Sequence, residues 1–115
     1  MKKLIVGLLL LLSCNHSPKN TKPSVLVTVP PYVYFIKEIA GSVVDVEVLV
    51  PPGANPHIYE PSPKQVQAMA KVQIWFRLGE SIEKKILTVL REQNCELQDV
   101  NLTQGIDLLS SHDHV

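Results

Sequence analysis

The chain has 115 residues, 11 basic and 11 acidic side chains, and 45% hydrophobic residues. This length is enough for one small domain, and the apolar content argues against wholesale disorder. Because basic residues are not in excess, the electrostatic footprint of a nucleic-acid-binding protein is missing. We therefore expect a small folded domain that binds no nucleic acid.

The N-terminal segment, residues 1–14, is predicted to be a lipoprotein signal peptide. Its apolar run, residues 4–12, makes only about 14 Å of helix, roughly half of a bilayer core. The run ends in the letters LLSC, which resemble a bacterial lipobox with Cys14 as the acylated residue. An ordinary signal peptide that happens to contain Cys14 is the alternative.

Acylation of Cys14 implies an exported protein that is lipid-anchored at the cell membrane and faces the periplasm or the cell exterior. Residues 15–23 are polar and contain prolines, as expected of a tether. With Cys14 carrying lipid, Cys95 has no partner for an internal disulfide. We predict that Cys95 is a buried strand residue rather than a reactive thiol.

From residue 24 onward, strand and helix patterns alternate. Runs rich in β-branched residues predict strands at 24–29 and 43–50, alternation predicts a third strand at 72–78, and residues 96–102 predict a weaker fourth strand. Acidic residues on one face of the second strand favour a place near the sheet edge. The order βαβαβαβ predicts an α/β fold, with a parallel sheet, right-handed crossovers and flanking helices.

Three helices are predicted between these strands. The first ends at Gly41, which takes a C-cap position. The second begins with Ser62 as N-cap and Pro63 at the first helical position, and Gln65 would complete a capping box. The third stops near Asn94, and the residues GIDLL after the fourth strand favour one further helical turn.

The loop after the second strand is PPGANPHIYEPSP, residues 51–63, with five prolines around His57. Ligands of open parallel sheets bind beyond the carboxyl ends of the strands, which is where this loop lies. Prolines fix backbone torsions, so little entropy remains to be lost when His57 binds something. The loop is therefore predicted to hold one imidazole at a fixed place.

From the loop alone, the His57 imidazole could pack in the core, bind a metal or act as a general base. A catalytic histidine needs a nucleophile and an orienting carboxylate, and the sequence has no Gly-x-Ser-x-Gly motif or glycine-rich phosphate loop. We therefore expect no enzyme. Near the chain end, His112 and His114 flank an aspartate, which is typical of a metal-binding tract or of a solvated polar tail.

The loop is similar to that of the lipoproteins that bind zinc or manganese for ABC importers, solute-binding protein family 9. Their shared pattern is Gly-x-x-Pro-His-x-Tyr-Glu-Pro-[Thr/Ser]-Pro. It is matched by Gly53, Pro56, His57, Tyr59, Glu60, Pro61, Ser62 and Pro63. The resemblance implies that His57 is the first metal ligand, that the other residues are its scaffold, and that the fold is the N-terminal lobe of the chelatase-like, TroA-like metal-binding fold.

The resemblance further implies a monomeric receptor that captures Zn²⁺ or Mn²⁺ as transported ligand for ABC permease subunits. Members of the family have two lobes, so residues 24–115 are expected to be a partial N-terminal lobe, from a fragment or a truncated product. His112 and His114 resemble the histidine-rich loop of zinc-type members. The alternative is a truncated, non-binding or surface-adhesion lipoprotein built on the same lobe.

Overall fold

The computed structural model describes residues 21–109. Its strands are β1 (Ser24–Val27), β2 (Asp45–Val48), β3 (Ile74–Arg77) and β4 (Gln98–Asn101). Its helices are α1 (Pro31–Ala40), α2 (Pro63–Met69) and α3 (Ser81–Gln93). The predicted βαβαβαβ order is confirmed, although each strand is shorter than its apolar run. After β2, for example, the amides of Leu49 and Val50 still donate to the carbonyls of Val27 and Thr28 at the end of β1, but the chain is already irregular.

All strand pairs are parallel, and the order across the sheet is β2-β1-β3-β4. The prediction that the acidic second strand lies near the edge is confirmed, since β2 is an edge strand with exposed Asp45 and Glu47. The hydrophobic strand β1 lies between β2 and β3, where both of its edges are hydrogen-bonded. The carboxyl ends of β1, β2 and β3 are thus neighbours on one rim of the sheet.

One face of the sheet is well covered. Helices α2 and α3 pack there around the fully buried indole of Trp75. The other residues of this core are Leu26, Leu49, Val50, Met69, Val72, Ile86, Leu90 and Leu97. This core fixes the start of α3 against the sheet, and so fixes the turn that precedes it.

The opposite face carries only α1 among the described helices, and none of the α1 residues is buried. A groove of about 450 Å³, lined entirely by apolar side chains, lies between α1 and the strands. Ile39 is 86% exposed beside this groove and Phe35 is 54% exposed. The predicted end of α1 is confirmed, because Gly41 caps the helix with a positive φ of 57°.

The start of α2 follows the prediction in part. Ser62 Oγ accepts a hydrogen bond from the Gln65 N–H at 3.3 Å, and Pro63 is the first helical residue. The predicted capping box is wrong in its second half, because the Gln65 side chain does not return to Ser62. It bonds to Leu49 and Tyr59 instead, which ties α2 to the preceding loop.

Two local predictions are wrong. Cys95 is exposed, because it lies in the turn between α3 and β4, and Leu97 takes the buried position next to the strand. Residues 106–109 form no helical turn, and their apolar side chains Ile106, Leu108 and Leu109 are exposed. Within residues 21–109, the structure has no helix long and apolar enough to cross a membrane.

Candidate metal-binding site

His57 lies on the rim of the sheet, in the loop between β2 and α2. Its side chain is 73% exposed, so the hypothesis that it packs in the core is wrong. The exposure follows from the loop itself, which has a turn on each side of Asn55 and no run of apolar residues. The imidazole is therefore accessible to a dissolved ion.

The backbone around His57 is held by short-range hydrogen bonds. The His57 N–H donates to Asn55 Oδ1 at 2.9 Å, and the Ile58 N–H donates to the Asn55 carbonyl at 3.2 Å. Gly53 has a φ of 85°, a conformation that side chains with a Cβ rarely adopt. The motif residues Gly53 and Pro56 lie in two consecutive turns, and the second turn contains His57.

The far side of the loop is fastened to the body of the domain through Tyr59. Its hydroxyl donates to Gln65 Oε1 at 2.5 Å, and Gln65 Nε2 donates to the Leu49 carbonyl at 2.9 Å. The Tyr59 ring is partly buried and packs against the core. Tyr59 and Gln65 thus link the loop to the Leu49 carbonyl, and the sequence prediction missed the part that Gln65 plays in this link.

A cleft of about 390 Å³ separates this loop from α3. Glu60 lines the cleft and pairs with Lys85 of α3, with Glu60 Oε1 3.6 Å from Lys85 Nζ. Both side chains are largely exposed, so this ion pair adds little stability. Pro61 lines the same cleft and is half-buried, next to the N-cap of α2.

The turn that follows β3 brings an acidic residue towards His57. Glu80 Oε2 lies 4.0 Å from His57 Nδ1, and the Glu80 side chain is 34% exposed. Glu80 precedes α3 directly as its N-cap residue. The sequence prediction missed this pairing because 23 positions separate the two residues along the chain, and only the parallel sheet brings them together.

Beneath that turn lies a fully buried carboxylate, Glu83. Its Oε1 accepts from the Leu78 N–H at 2.7 Å and from Thr28 Oγ1 at 2.5 Å, and its Oε2 accepts from the Gly79 N–H at 2.8 Å. Trp75 Nε1 donates to the same Thr28 hydroxyl at 3.2 Å. Burial of a carboxylate is costly unless such donors satisfy it, and here both oxygens are satisfied.

The sequence contained a signal for Glu83 that we missed. It shares the buried stripe of α3 with Ile86 and Leu90, three and seven residues further on. An acidic residue on an apolar stripe needs buried donors. The backbone amides that follow the preceding strand, those of Leu78 and Gly79, are the donors that such a residue could reach.

An ion-pair cluster supports the same end of β3. Arg77 donates to Asp99 Oδ2 through Nε at 2.9 Å and through a terminal nitrogen at 2.6 Å, and Arg91 also donates to Asp99. Burial would raise the pKa of the Asp99 carboxyl, but the hydrogen bond and charge of Arg77 and the charge of Arg91 outweigh burial and lower that pKa. A second terminal nitrogen of Arg77 lies 3.8 Å from Glu83 Oε2, so the cluster reaches the buried carboxylate.

The described residues supply a single histidine to this rim. Residues 21–109 contain no group of three or more His, Cys, Asp or Glu side chains that could hold a metal ion. The predicted ligands His112 and His114, and the predicted lipidation site Cys14, lie outside the described residues. His57 is therefore the only one of the predicted metal ligands whose surroundings the structure describes.

Comparison with known proteins decides the family. The model of the zinc-uptake complex component A periplasmic family, ZnuA, matches residues 25–115. The chain belongs to this family. The predicted resemblance to zinc and manganese receptors of ABC importers is thereby confirmed.

Individual relatives agree with the family model. A Chlamydia trachomatis protein is 32% identical over 101 residues, which make up 87% of this chain and 35% of that protein. The Streptococcus sanguinis metal ABC transporter substrate-binding lipoprotein SsaB is 30% identical over 127 aligned positions, covering 95% of this chain and 40% of that protein. The chain spans 30–35% of the length of the first three relatives that it matches.

Solved structures of the family share the fold. A crystal structure of ZnuA superposes with a TM-score of 0.70 at 34% identity, covering 77% of this chain and 35% of that one. The Zn(II)-bound ZnuA-like domain of Streptococcus pneumoniae AdcA superposes with a TM-score of 0.64 at 29% identity, covering 79% and 34% of the two chains. The parallel α/β sheet predicted from the sequence is confirmed as this family fold.

Proposed function

We propose that this chain is part of an extracytoplasmic receptor that captures Zn²⁺ or Mn²⁺ for an ABC importer, with His57 as one of the metal ligands. The exposed imidazole on the rim, held by the proline loop, is the observation that carries this proposal. Neutral imidazole is a preferred ligand of zinc. Zinc sites take three or four protein ligands, so His57 acts together with further ligands.

The mechanism breaks no covalent bond. The imidazole and its co-ligands replace water molecules of the ion, and the permease subunits recognise the loaded receptor. We propose His112 and His114 as additional zinc-binding groups, since a histidine-rich tract suits this metal. The residues Gly53, Pro56, Tyr59, Glu60 and Pro61 act as the scaffold that keeps His57 on the rim.

We further propose that residues 1–14 are the lipoprotein signal peptide, that Cys14 carries the lipid, and that residues 15–23 tether a monomeric lobe, residues 24–115, to the membrane. Anchoring would keep the receptor beside the permease. Mass spectrometry of the membrane-extracted protein tests this directly. Acyl chains on an N-terminal Cys14 are expected, and an unmodified N-terminus upstream of residue 14 would contradict the proposal.

Isothermal titration calorimetry with Zn²⁺ and with Mn²⁺ tests the metal role. Replacing His57 by Ala is expected to weaken binding of the transported ion, while Glu92→Ala, an exposed change on α3, leaves it unchanged. Equal affinities in the parent chain and in His57→Ala would refute the receptor role of the loop. A truncated, non-binding or surface-adhesion lipoprotein would then be the remaining alternative for this lobe.

A further inference from the structure

Glu80 is the carboxylate nearest to the His57 ring among residues 21–109. The distance of 4.0 Å between Glu80 Oε2 and His57 Nδ1 is longer than a hydrogen bond. It is within ion-pair distance, and the two side chains are 73% and 34% exposed. The contact involves Nδ1, which leaves the other ring nitrogen, Nε2, for a ligand.

A neutral imidazole has one N–H donor and one acceptor nitrogen. A carboxylate next to one nitrogen holds the proton there, because the carboxylate only accepts hydrogen bonds. The lone pair is then on the opposite nitrogen, which is the form that coordinates a metal ion. Ligand histidines in proteins commonly have such a carboxylate partner.

The other polar neighbours of His57 do not take this role. Asn55 accepts from the His57 backbone N–H rather than from the ring. Glu60 is engaged with Lys85, 3.6 Å away. Glu80 is thus the acidic group within ion-pair distance of the ring in the described part of the chain.

Glu80 is held at this place by the turn on which it lies. The two preceding residues, Leu78 and Gly79, donate their backbone N–H groups to the buried Glu83. Gly79 has a φ of 84°, a conformation that residues with a Cβ rarely adopt, so this backbone position suits glycine. The first turn of α3 begins directly after Glu80. Both sides of Glu80 are therefore anchored to the sheet.

We propose that Glu80 is a positioning residue for His57, which accepts the Nδ1–H and leaves Nε2 to the metal ion, and that Glu83 holds the turn carrying Glu80. This inference rests on the proposed role of His57 as a metal ligand. The sequence motif places the site in the loop after β2 alone. With Glu80, the connection that follows β3 becomes part of the same site.

The tautomer of His57 gives a test that needs no metal. Long-range ¹H–¹⁵N correlation spectra of the metal-free chain, at a pH where imidazole is neutral, report which ring nitrogen carries the proton. The expected result is Nδ1–H in the parent chain and a shift of the population towards Nε2–H in Glu80→Ala. In the matched control Glu92→Ala, on the exposed side of α3, the Nδ1–H form persists. An unchanged tautomer in Glu80→Ala would overturn the inference.

Zinc calorimetry on the same variants separates the inference from the function on which it rests. Loss of the outer partner is expected to weaken Zn²⁺ binding about 10- to 100-fold in Glu80→Ala. A tautomer shift together with unchanged affinity in His57→Ala would refute His57 as a ligand, although the pairing would stand. Suppose instead that the tautomer shifts in Glu80→Ala and that Zn²⁺ affinity is lost in His57→Ala. If Glu80→Ala then kept the parent affinity for Zn²⁺, the positioning role of Glu80 would be refuted.

The contribution of Glu83 is tested by Glu83→Gln, which keeps the shape of the side chain but replaces one acceptor oxygen by a donor. We expect the His57 tautomer to shift as in Glu80→Ala, although the imidazole is not among the polar contacts of Glu83. Glu92→Gln is the matched control on the same helix. A folded Glu83→Gln chain with the parent tautomer would contradict the role of Glu83, and the Glu80→Ala result stands independently if that chain does not fold.

Discussion

The two connections that meet at His57 are fixed in different ways. The loop after β2 has the exposed His57, which we propose as a metal ligand, and its order comes from prolines, an Asn55 turn and one hydrogen-bonded link through Tyr59. The turn after β3 offers no predicted ligand, yet it lies on the fully buried Glu83 with donors on both carboxylate oxygens. A loop ordered by its backbone torsions thus leaves the His57 side chain accessible to an ion. The connection after β3 is instead ordered by the Glu83 carboxylate, whose two oxygens are both occupied by hydrogen bonds.

The largest effect on the free energy of unfolding is expected from removing the buried carboxylate under the connection after β3. Glu83→Ala leaves the amides of Leu78 and Gly79 and the hydroxyl of Thr28 without their acceptor, and we expect the free energy of unfolding to fall by about 3–5 kcal/mol. Urea denaturation measures this loss. Glu92→Ala, an exposed change on the same helix, should stay within about 0.5 kcal/mol of the parent chain. If Glu83→Ala lowered the free energy of unfolding as little as Glu92→Ala does, the connection after β3 would not be held by Glu83.

The ion-pair cluster behind Glu83 should show the next largest effect. The Asp99→Asn substitution weakens the bonds from Arg77, and we expect it to lower the free energy of unfolding by about 1–3 kcal/mol at neutral pH. Because the pKa of Asp99 is lowered in the folded state, its contribution is present above the unfolded pKa of about 3.9. That contribution is lost as pH falls through the folded pKa.

Urea denaturation of both chains across the acid range checks this dependence on pH. The difference in stability between the parent chain and Asp99→Asn should shrink as the pH falls below about 4. Other carboxylates titrate in the same range, but they are common to both chains and cancel in the difference. A difference that grew on acidification would contradict the lowered pKa.

The hydrogen bond between Tyr59 and Gln65, which links the loop to α2, should contribute less to the free energy of unfolding. Tyr59→Phe removes the hydroxyl that donates to Gln65, and we expect a loss of about 0.5–1.5 kcal/mol in the free energy of unfolding. The ring still packs against the core, so the fold is kept. Tyr34→Phe is a matched control, because Tyr34 is 62% exposed and lies on α1, on the other face of the sheet from α2. Equal losses in the two variants would mean that the Tyr59 hydroxyl does not fasten the loop.

The smallest effect is expected within the loop itself. Asn55→Ala removes the side-chain oxygen that accepts from the His57 backbone N–H. Because the loop is exposed, this N–H can donate to a water molecule instead. We expect a change below about 1 kcal/mol in stability. Backbone amide hydrogen exchange at His57 should nevertheless become faster. Unchanged exchange would show that the prolines alone keep the loop in place.

Local patterns in the sequence predicted the parts of the fold that local physics decides. The alternation of strand and helix periods predicted the order of the seven elements within residues 21–109, and acidic residues on β2 predicted its edge position. Proline spacing predicted a stiff loop around His57. The contacts that complete the rim are long-range and could not be predicted in this way, since Thr28 and Glu83 are 55 positions apart.

Two errors arose where tertiary structure opposed a local preference of a side chain. Gln65 could have returned to Ser62 as in a capping box, but the free carbonyl of Leu49 and the Tyr59 hydroxyl are closer partners in the folded domain. Cys95 has an apolar character that favours burial, yet the chain must turn there to enter β4. In both cases tertiary structure outweighed a local preference.

Zinc titration of the parent chain and of His57→Ala, with circular dichroism on both, is the most direct test that the loop holds a metal ligand. Because the ring is 73% exposed, His57→Ala should leave the unfolding transition within about 0.5 kcal/mol of the parent while Zn²⁺ affinity falls at least tenfold. The same Zn²⁺ affinity in both chains would contradict the account.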